Sequence, residues 1–327
     1  MKTLIVLKER IPPKQLMALE AMKRRLLENH PRMEKVSRDH RMWEVGYKGE
    51  CSLDFYLKQL PEGEYWLFYG LCLKTTDGEQ FQIDTMLLSK RVAILLEIKT
   101  IAGEILFDED IHQFSRTYQG EVKSFSHPYI QVARQRTLLR QWLNARGYFN
   151  LPVAPLVISG NPSATLTFKN APRHFMQSIV RAEVLPQRVL QLKKENPADQ
   201  LSSSAQKELS QQLLDGHHEQ PDNVVEAYNI SRFDLLTGVH CPSCFKLSMQ
   251  RIHGNGWHCP RCSFRHKMAH AESLKDYRIL FQPSISNREA RIFLDIPSAS
   301  IVRKLLTQLE LPIQGKNKSR RYMLTDL

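Results

Sequence analysis

At 327 residues the chain has room for two or three domains and at least one sizeable core. Its 46 lysines and arginines against 34 aspartates and glutamates leave a net charge of +12, which suits polyanions such as nucleic acid or anionic membrane; plain solubility is the alternative. No stretch approaches the roughly 20 apolar residues of a membrane span, and no Gly-x4-Gly-Lys-Ser/Thr motif occurs, so neither a membrane protein nor an ATP-driven motor is expected.

Taken in chain order, the apolar run Thr3 to Leu7 is too short for a secretory signal and is followed at once by Lys8, Glu9 and Arg10, which points to a cytoplasmic protein. Residues Pro12 to Glu28 read as a helix, with Leu16, Leu19, Met22 and Leu26 on one face and His30-Pro31 as the stop. From Gly46 the character becomes α/β. A helix over Lys48 to Leu60 precedes strands near Tyr65 to Leu73, Phe81 to Leu88 and Val92 to Ile98, then a helix from Pro128 to Leu143 and a buried strand over Val153 to Ser159. Residues Leu190 to Asp222 are polar, with one amphipathic helix marked by Leu209, Leu213 and Leu214, and read as the end of a domain and a connector. The expected organisation is an N-terminal helical extension (1–45), an α/β domain (46–220), a linker (221–237), a cysteine module (238–266) and a basic helix-turn-helix-like module (267–327).

The stretch FQIDTMLLSKRVAILLEIKT sets Asp84, Glu97 and Lys99 inside two strand-like apolar runs. Buried charges persist there only when partners or a metal compensate them, so the trio is either a structural ion cluster or a site. If Lys90 and Arg91 form a two-residue hairpin loop, Ser89 opposes Val92 and Asp84 opposes Glu97 on one face. Strand alternation then adds Lys99 to that face and turns Leu96 and Ile98 into apolar packing. A four-residue loop keeps this pairing and a three-residue loop spoils it, and Lys-Arg is a poor signature for a tight turn. Two adjacent carboxylates repel unless a cation sits between them. Hard oxygen ligands suit Mg²⁺ or Mn²⁺, which can activate water against a phosphate, with Lys99 assisting. Glu50 falls on the same helix face as Leu53, Leu57 and Leu60; it either extends that stripe towards the site or only complements the helix dipole.

These residues resemble the PD-(D/E)xK nucleases, and their surroundings resemble the nuclease-related (NERD) domain. The matching pieces are Gly46-Tyr47-Lys48-Gly49-Glu50, Gln82-Ile83-Asp84, Glu97-Ile98-Lys99 and His127-Pro128-Tyr129-Ile130-Gln131, between about Gly46 and Leu143. The resemblance implies a mixed β-sheet core flanked by helices, with Asp84 and Glu97 as metal ligands, Lys99 catalytic, Glu50 an acidic helper and Gln131 a polar contact from a helix. His127 stands where that family commonly has asparagine, and Pro128 at a helix start is a structural alternative for the fourth piece.

The segment from Cys241 to Cys262 holds two Cys-x2-Cys pairs, Cys241 with Cys244 and Cys259 with Cys262, spaced to present four thiolates to Zn²⁺. Gly254, Asn255 and Gly256 supply a turn between two strands, and the module resembles a zinc ribbon. His240, His253, His258 and His266 are nearby, yet four cysteines already close the shell, which argues for structure over catalysis. Arg251, Trp257, Arg261, Phe264 and Arg265 give it a character compatible with nucleic acid. Beyond it, Ser286 and Ser298 are caps of two short helices joined around Asp295 to Ser298. Ile301, Val302, Leu305, Leu306 and Leu309 form the buried face of the second, and the strand-like Tyr322-Met323-Leu324 closes the chain. This is either a helix-turn-helix or winged-helix module, with Lys316, Lys318, Arg320 and Arg321 on phosphates, or a helical hairpin whose charges are a solvated face. The expectation is a metal-dependent nuclease acting on nucleic acid, DNA in the first instance. The alternatives are a non-catalytic DNA-binding or regulatory protein of the same fold and an RNA-directed nuclease; oligomeric state is open.

Overall fold

The computed structural model describes residues 5–218, 224–252, 256–325 and 327, without the side chain of residue 318. Thr3, Leu4, Asp222, His253, Gly254 and Asn255, together with the Lys318 side chain, lie outside the described residues. The chain forms two compact units, Met1–Ile11 with Val45–Gln220, and Pro12–Glu44 with Pro221–Leu327. Residues 12–44 therefore group with the C-terminal part of the chain, where the sequence suggested a separate extension. Among the described residues no helix is long and apolar enough to cross a membrane.

In chain order β1 (Ile5–Lys8) is followed by α1 (Lys14–Arg25) and α2 (Met33–Leu57), with the unit boundary inside α2. Next come β2 (Trp66–Lys74), β3 (Gln80–Leu88), β4 (Ala93–Lys99), β5 (Glu104–Asp108), β6 (Gln113–Tyr118), β7 (Glu121–Phe125) and α3 (Pro128–Asn144). The first unit closes with β8 (Val153–Ser159), β9 (Thr165–Lys169), α4 (Arg173–Met176), β10 (Ile179–Arg181), α5 (Leu185–Glu195) and α6 (Ser203–Asp215). Six strands form a mixed sheet in the order β1-β2-β3-β4-β8-β10, antiparallel across β2, β3 and β4 and parallel elsewhere.

The central strands β4 and β8 are rich in Ile, Leu and Val and are covered on both faces. Leu53 and Leu57 of α2 and Leu185, Val189 and Leu192 of α5 pack with Ile94, Leu96 and Ile98 on one side. On the other, α3 (Val132, Leu139, Trp142) and α6 (Leu209, Leu213) pack with Ala93, Leu95 and Val153. A second sheet, β7-β6-β5-β9, adds Ile105, Phe107 and Phe114 to that core. The polar tract after Leu190 is thus no loose connector: α5 and α6 seal both faces of the sheet.

The β3–β4 hairpin has the expected register, with Leu88 opposite Ala93 and Thr85 opposite Leu96. Lys90-Arg91 is the loop, and neither residue takes a positive φ. Ser89 makes the turn workable. Its backbone N–H donates to Val92 O, and its hydroxyl accepts from the N–H groups of Arg91 and Val92.

The second unit holds α1, the first turns of α2 and everything after the first unit. It continues with α7 (Val224–Ala227), the ribbon strands β11 (Gln250–Arg251), β12 (Trp257–His258) and β13 (Arg265–His266), and α8 (Ala269–Leu280). It ends with β14 (Ser284–Ser286), α9 (Asn287–Leu294), α10 (Ala299–Thr307), β15 (Ile313–Gln314) and β16 (Arg321–Met323). The last three strands pair antiparallel in the order β14-β16-β15. Helix, strand, two helices and a two-stranded wing is the winged-helix order. Ser286 and Ser298 cap α9 and α10 as their positions suggested, while Ile301 is exposed and only Val302, Leu305 and Leu306 of α10 are buried. Residues read as linker are built in as well. Val224, Val225, Tyr228, Ile230 and Leu235 pack with Leu19 and Met22 of α1 in one core. The ribbon and the winged helix also share a core, because Cys241, Trp257 and Cys259 pack with Leu274, Tyr277, Ile285 and Leu306.

Candidate active site

Glu97 is the hub of the candidate site and is 1% exposed. Alternation along β4 sets it on the same side as Ala93 and Leu95, facing α3. Lys99 Nζ donates to its Oε1 at 2.7 Å. Gln131 Nε2 and Gln135 Nε2, one helical turn apart on α3, donate to its Oε2 at 2.9 and 3.3 Å. Lys99 Nζ also lies 3.4 Å from Gln131 Oε1, so Glu97, Lys99 and Gln131 close a ring of contacts.

Asp84 sits where the β3–β4 ladder ends, one step beyond the Thr85 and Leu96 pair. Phe81 and Ile83 share a core with Met86 and Leu88, so the face alternation of β3 slips at Asp84. The neighbouring β2 accommodates the twist at Gly70, whose φ is +59°. Desolvation, then the like charges of Glu97 and Glu50, push the Asp84 carboxyl well above the usual range, and Lys99 only partly offsets them. Desolvation also raises Glu50, with the charge of Glu97 adding to it and that of Arg10 opposing it.

Glu50 reaches this group from α2 because the helix comes very close to the end of β4. A Cβ placed on Gly49 would stand 1.8 Å from Thr100 Oγ1 and 2.8 Å from Thr100 Cβ. Neither atom lies at the end of a flexible chain, so any side chain at 49 pushes the helix away. Gly49→Ala is expected to lower whatever reaction the site performs by about 100-fold, as an ångström of misplacement does. Gly49→Ala combined with Thr100→Gly should recover much of that rate. A turnover assay of the two variants checks this, and a single variant as active as wild type would contradict it.

All five expected residues, Glu50, Asp84, Glu97, Lys99 and Gln131, thus come within one neighbourhood of the first unit. Two polar partners were missed. Arg10, just beyond β1, donates to Glu50 Oε2 at 3.1 Å and to Asp54 Oδ1 at 3.2 Å, with its guanidinium 4.0 Å over the Tyr69 ring. Nothing local marks it, since its partners lie about 40 residues on. Gln135 carried a signal, being the polar member of the buried α3 stripe formed by Val132, Leu138, Leu139 and Trp142. His127 joins none of these contacts: its Nε2 meets Glu109 at 3.1 Å and its ring packs among Phe107, Phe114 and Phe175.

In the second unit the sulfurs of Cys241, Cys244, Cys259 and Cys262 lie within 4.8 Å of one another. Cys241 and Cys262 are 3.6 Å apart and Cys244 and Cys259 3.7 Å, close to the ~3.8 Å edge of a tetrahedron with Zn–S bonds of about 2.3 Å. The two knuckles repeat one backbone design. Phe245 N bonds Cys241 O and Ser263 N bonds Cys259 O, each through a positive φ, of 58° and 60°. This cluster can hold a metal ion such as zinc. It is the only set of three or more such donors drawn together for one ion among the described residues. A cation at the carboxylate site would instead rest on two carboxylates, as Mg²⁺ commonly does while keeping several waters.

Residues 45–159 match the family model of the nuclease-related domain (NERD), a span that includes Glu50, Asp84, Glu97, Lys99 and Gln131. No curated protein and no solved structure matches the chain.

Proposed function

We propose that this chain, through its nuclease-related domain, is a metal-dependent nuclease that hydrolyses phosphodiester bonds of DNA, with Mg²⁺ or Mn²⁺ held by Asp84 and Glu97. The charge balance around Glu97 carries the reading. Arg10 answers Glu50 and Lys99 answers Glu97, which leaves Asp84 a desolvated carboxyl among like charges. A hard cation is what such an oxygen pair fits. When bound, the ion supplies Lewis acidity at a phosphate oxygen.

The chain's own groups do the rest. Lys99, its side chain 29% exposed, can leave Glu97 to orient a water or to meet charge developing on the phosphate. Gln131 and Gln135 hold the Glu97 carboxylate in place while Lys99 moves. Glu50, held by Arg10 and with a raised pKa, is suited to carry a proton. In the second unit the four cysteines hold Zn²⁺ in a structural role. Four thiols grouped as for a metal, and no disulfide among the described residues, fit a reducing compartment, the cytoplasm.

One observation favours a second reading, a non-catalytic DNA-binding protein: both Glu97 oxygens already have protein donors. Wild type and Lys99→Ala, incubated with plasmid, single-stranded DNA and RNA with and without added Mg²⁺, separate the two. Divalent-dependent DNA cleavage reduced about 100-fold or more in the variant is expected. No cleavage of any substrate supports the second reading, and preferential cleavage of RNA overturns the choice of DNA.

A further inference from the structure

We infer that the winged-helix part of the second unit binds duplex DNA through an arginine-lined groove between α9, α10 and the β15–β16 wing. The groove encloses about 1120 Å³. Arg288 and Arg291 of α9, Arg303 of α10, Arg320 and Arg321 of the wing, and Arg232 from the segment before the ribbon all line it. The single acid among its described lining residues, Glu289, is paired with Arg321 at 2.9 Å and caps α9 through Ser286. Arg288, Arg303 and Arg320 make no ion pair among the described residues, and Arg291 Nε is buried without a hydrogen-bond partner. Cationic side chains gathered in one concavity repel each other. They are matched by a ligand that presents several phosphates in a row, and such a ligand also releases counterions on binding.

The shape of α10 selects the kind of polyanion. One side of it, Val302, Leu305 and Leu306, is buried, while Ser300, Arg303, Lys304 and Thr307 are all exposed on the other. The major groove of B-form DNA is wide enough to admit such a helix, whereas that of A-form RNA is deep and narrow. The wing is held ready beside it. Ser319 Oγ donates to Lys316 O at 2.8 Å and Arg320 N to Asn317 O at 3.2 Å, which fixes the start of the strand that carries Arg321. This inference extends the nuclease reading by naming a grip on the substrate, yet it stands if the carboxylate site proves inert.

The test is fluorescence anisotropy of a labelled duplex of about 20 base pairs, two helical turns, titrated with the full zinc-loaded chain without added Mg²⁺ across a salt series. Arg303→Ala with Arg320→Ala should weaken binding about tenfold or more and lower the slope of log K against log salt by about two. Lys207→Ala, on an exposed face of α6, should change neither. Both arginines are exposed and unpaired, so the melting curve of the double variant should match wild type, and Arg288→Ala alone should lower the slope by about one. An unchanged slope in these variants, or equally tight binding to duplex RNA or single-stranded DNA, overturns the inference.

Discussion

Replacing Asp84 with asparagine is expected to abolish divalent-dependent cleavage, by about 1000-fold or more, and also to raise the melting temperature of the protein. The two effects share one cause. Asp84 has a carboxyl pushed well above its usual range by desolvation and by the charges of Glu97 and Glu50, so its ionised form is costly in the folded chain. A raised carboxyl pKa means that the folded state binds the proton more tightly than the unfolded one. The stabilisation it gives is therefore complete below the unfolded value of about 3.9 and is lost as pH rises through the higher folded value. Asparagine keeps the shape and removes that loss, so the gain in melting temperature should be larger near pH 8 than near pH 5, by rough measure. Melts of both proteins across that range decide the matter. A variant less stable than wild type at every pH would mean that Asp84 belongs to a structural ion pair and would count against the cation site.

Removing the ribbon metal is expected to take down the winged helix along with the ribbon. Structural zinc in small modules contributes on the order of 10 kcal/mol to folding, and here Cys241 and Cys259, the buried pair of the four cysteines that can hold a metal, lie inside the core shared with Leu274, Tyr277, Ile285 and Leu306. A second buried link reinforces the coupling. Asp276 of α8 receives Arg25 Nε at 2.9 Å and lies 3.4 Å from His240, the residue before Cys241. Burial alone would raise Asp276, but the bond from His240 and the charges of Arg25 and Arg24 outweigh it and hold the carboxyl well below the usual range. Chelation, or Cys259→Ser, should therefore strip hydrogen-exchange protection from α8, α9 and α10 as well as from the ribbon strands, and DNA affinity should fall with it. Loss confined to the ribbon, with α8–α10 still protected, would show that the two modules are independent.

The carboxylate site was legible because strand period and hairpin register are local rules. Knowing only that Ser89 faces Val92 puts Asp84 near Glu97 and Lys99 on the same face. The turn itself contradicted the usual glycine signature, and the Ser89 hydroxyl supplied what the Lys90-Arg91 pair lacks. The clustering of the four cysteines was legible because two Cys-x2-Cys pairs are the spacing that tetrahedral coordination demands. What stayed hidden depends on distant pairing. Arg10 is defined only by Glu50 and Asp54, and β5, β6 and β9 are strands of five or six residues whose apolar positions make sense only beside the α3 core. The fusion of ribbon and winged helix was hidden for the same reason, since each motif has its own complete signature and neither announces a shared interior.

The interrupted course of the second unit sets an order of events during synthesis. Leu19 and Met22 of α1 find Val224, Val225 and Leu280 in their core, and those partners leave the ribosome about 200 residues later. At translation rates of about 5–20 residues per second, α1 waits roughly 10–40 s with an apolar face uncovered while the nuclease-related unit is made. Nascent chains of this protein should therefore be chaperone clients until residue 280 has emerged, and a stop before that point leaves the first unit joined to a helix whose apolar face is uncovered.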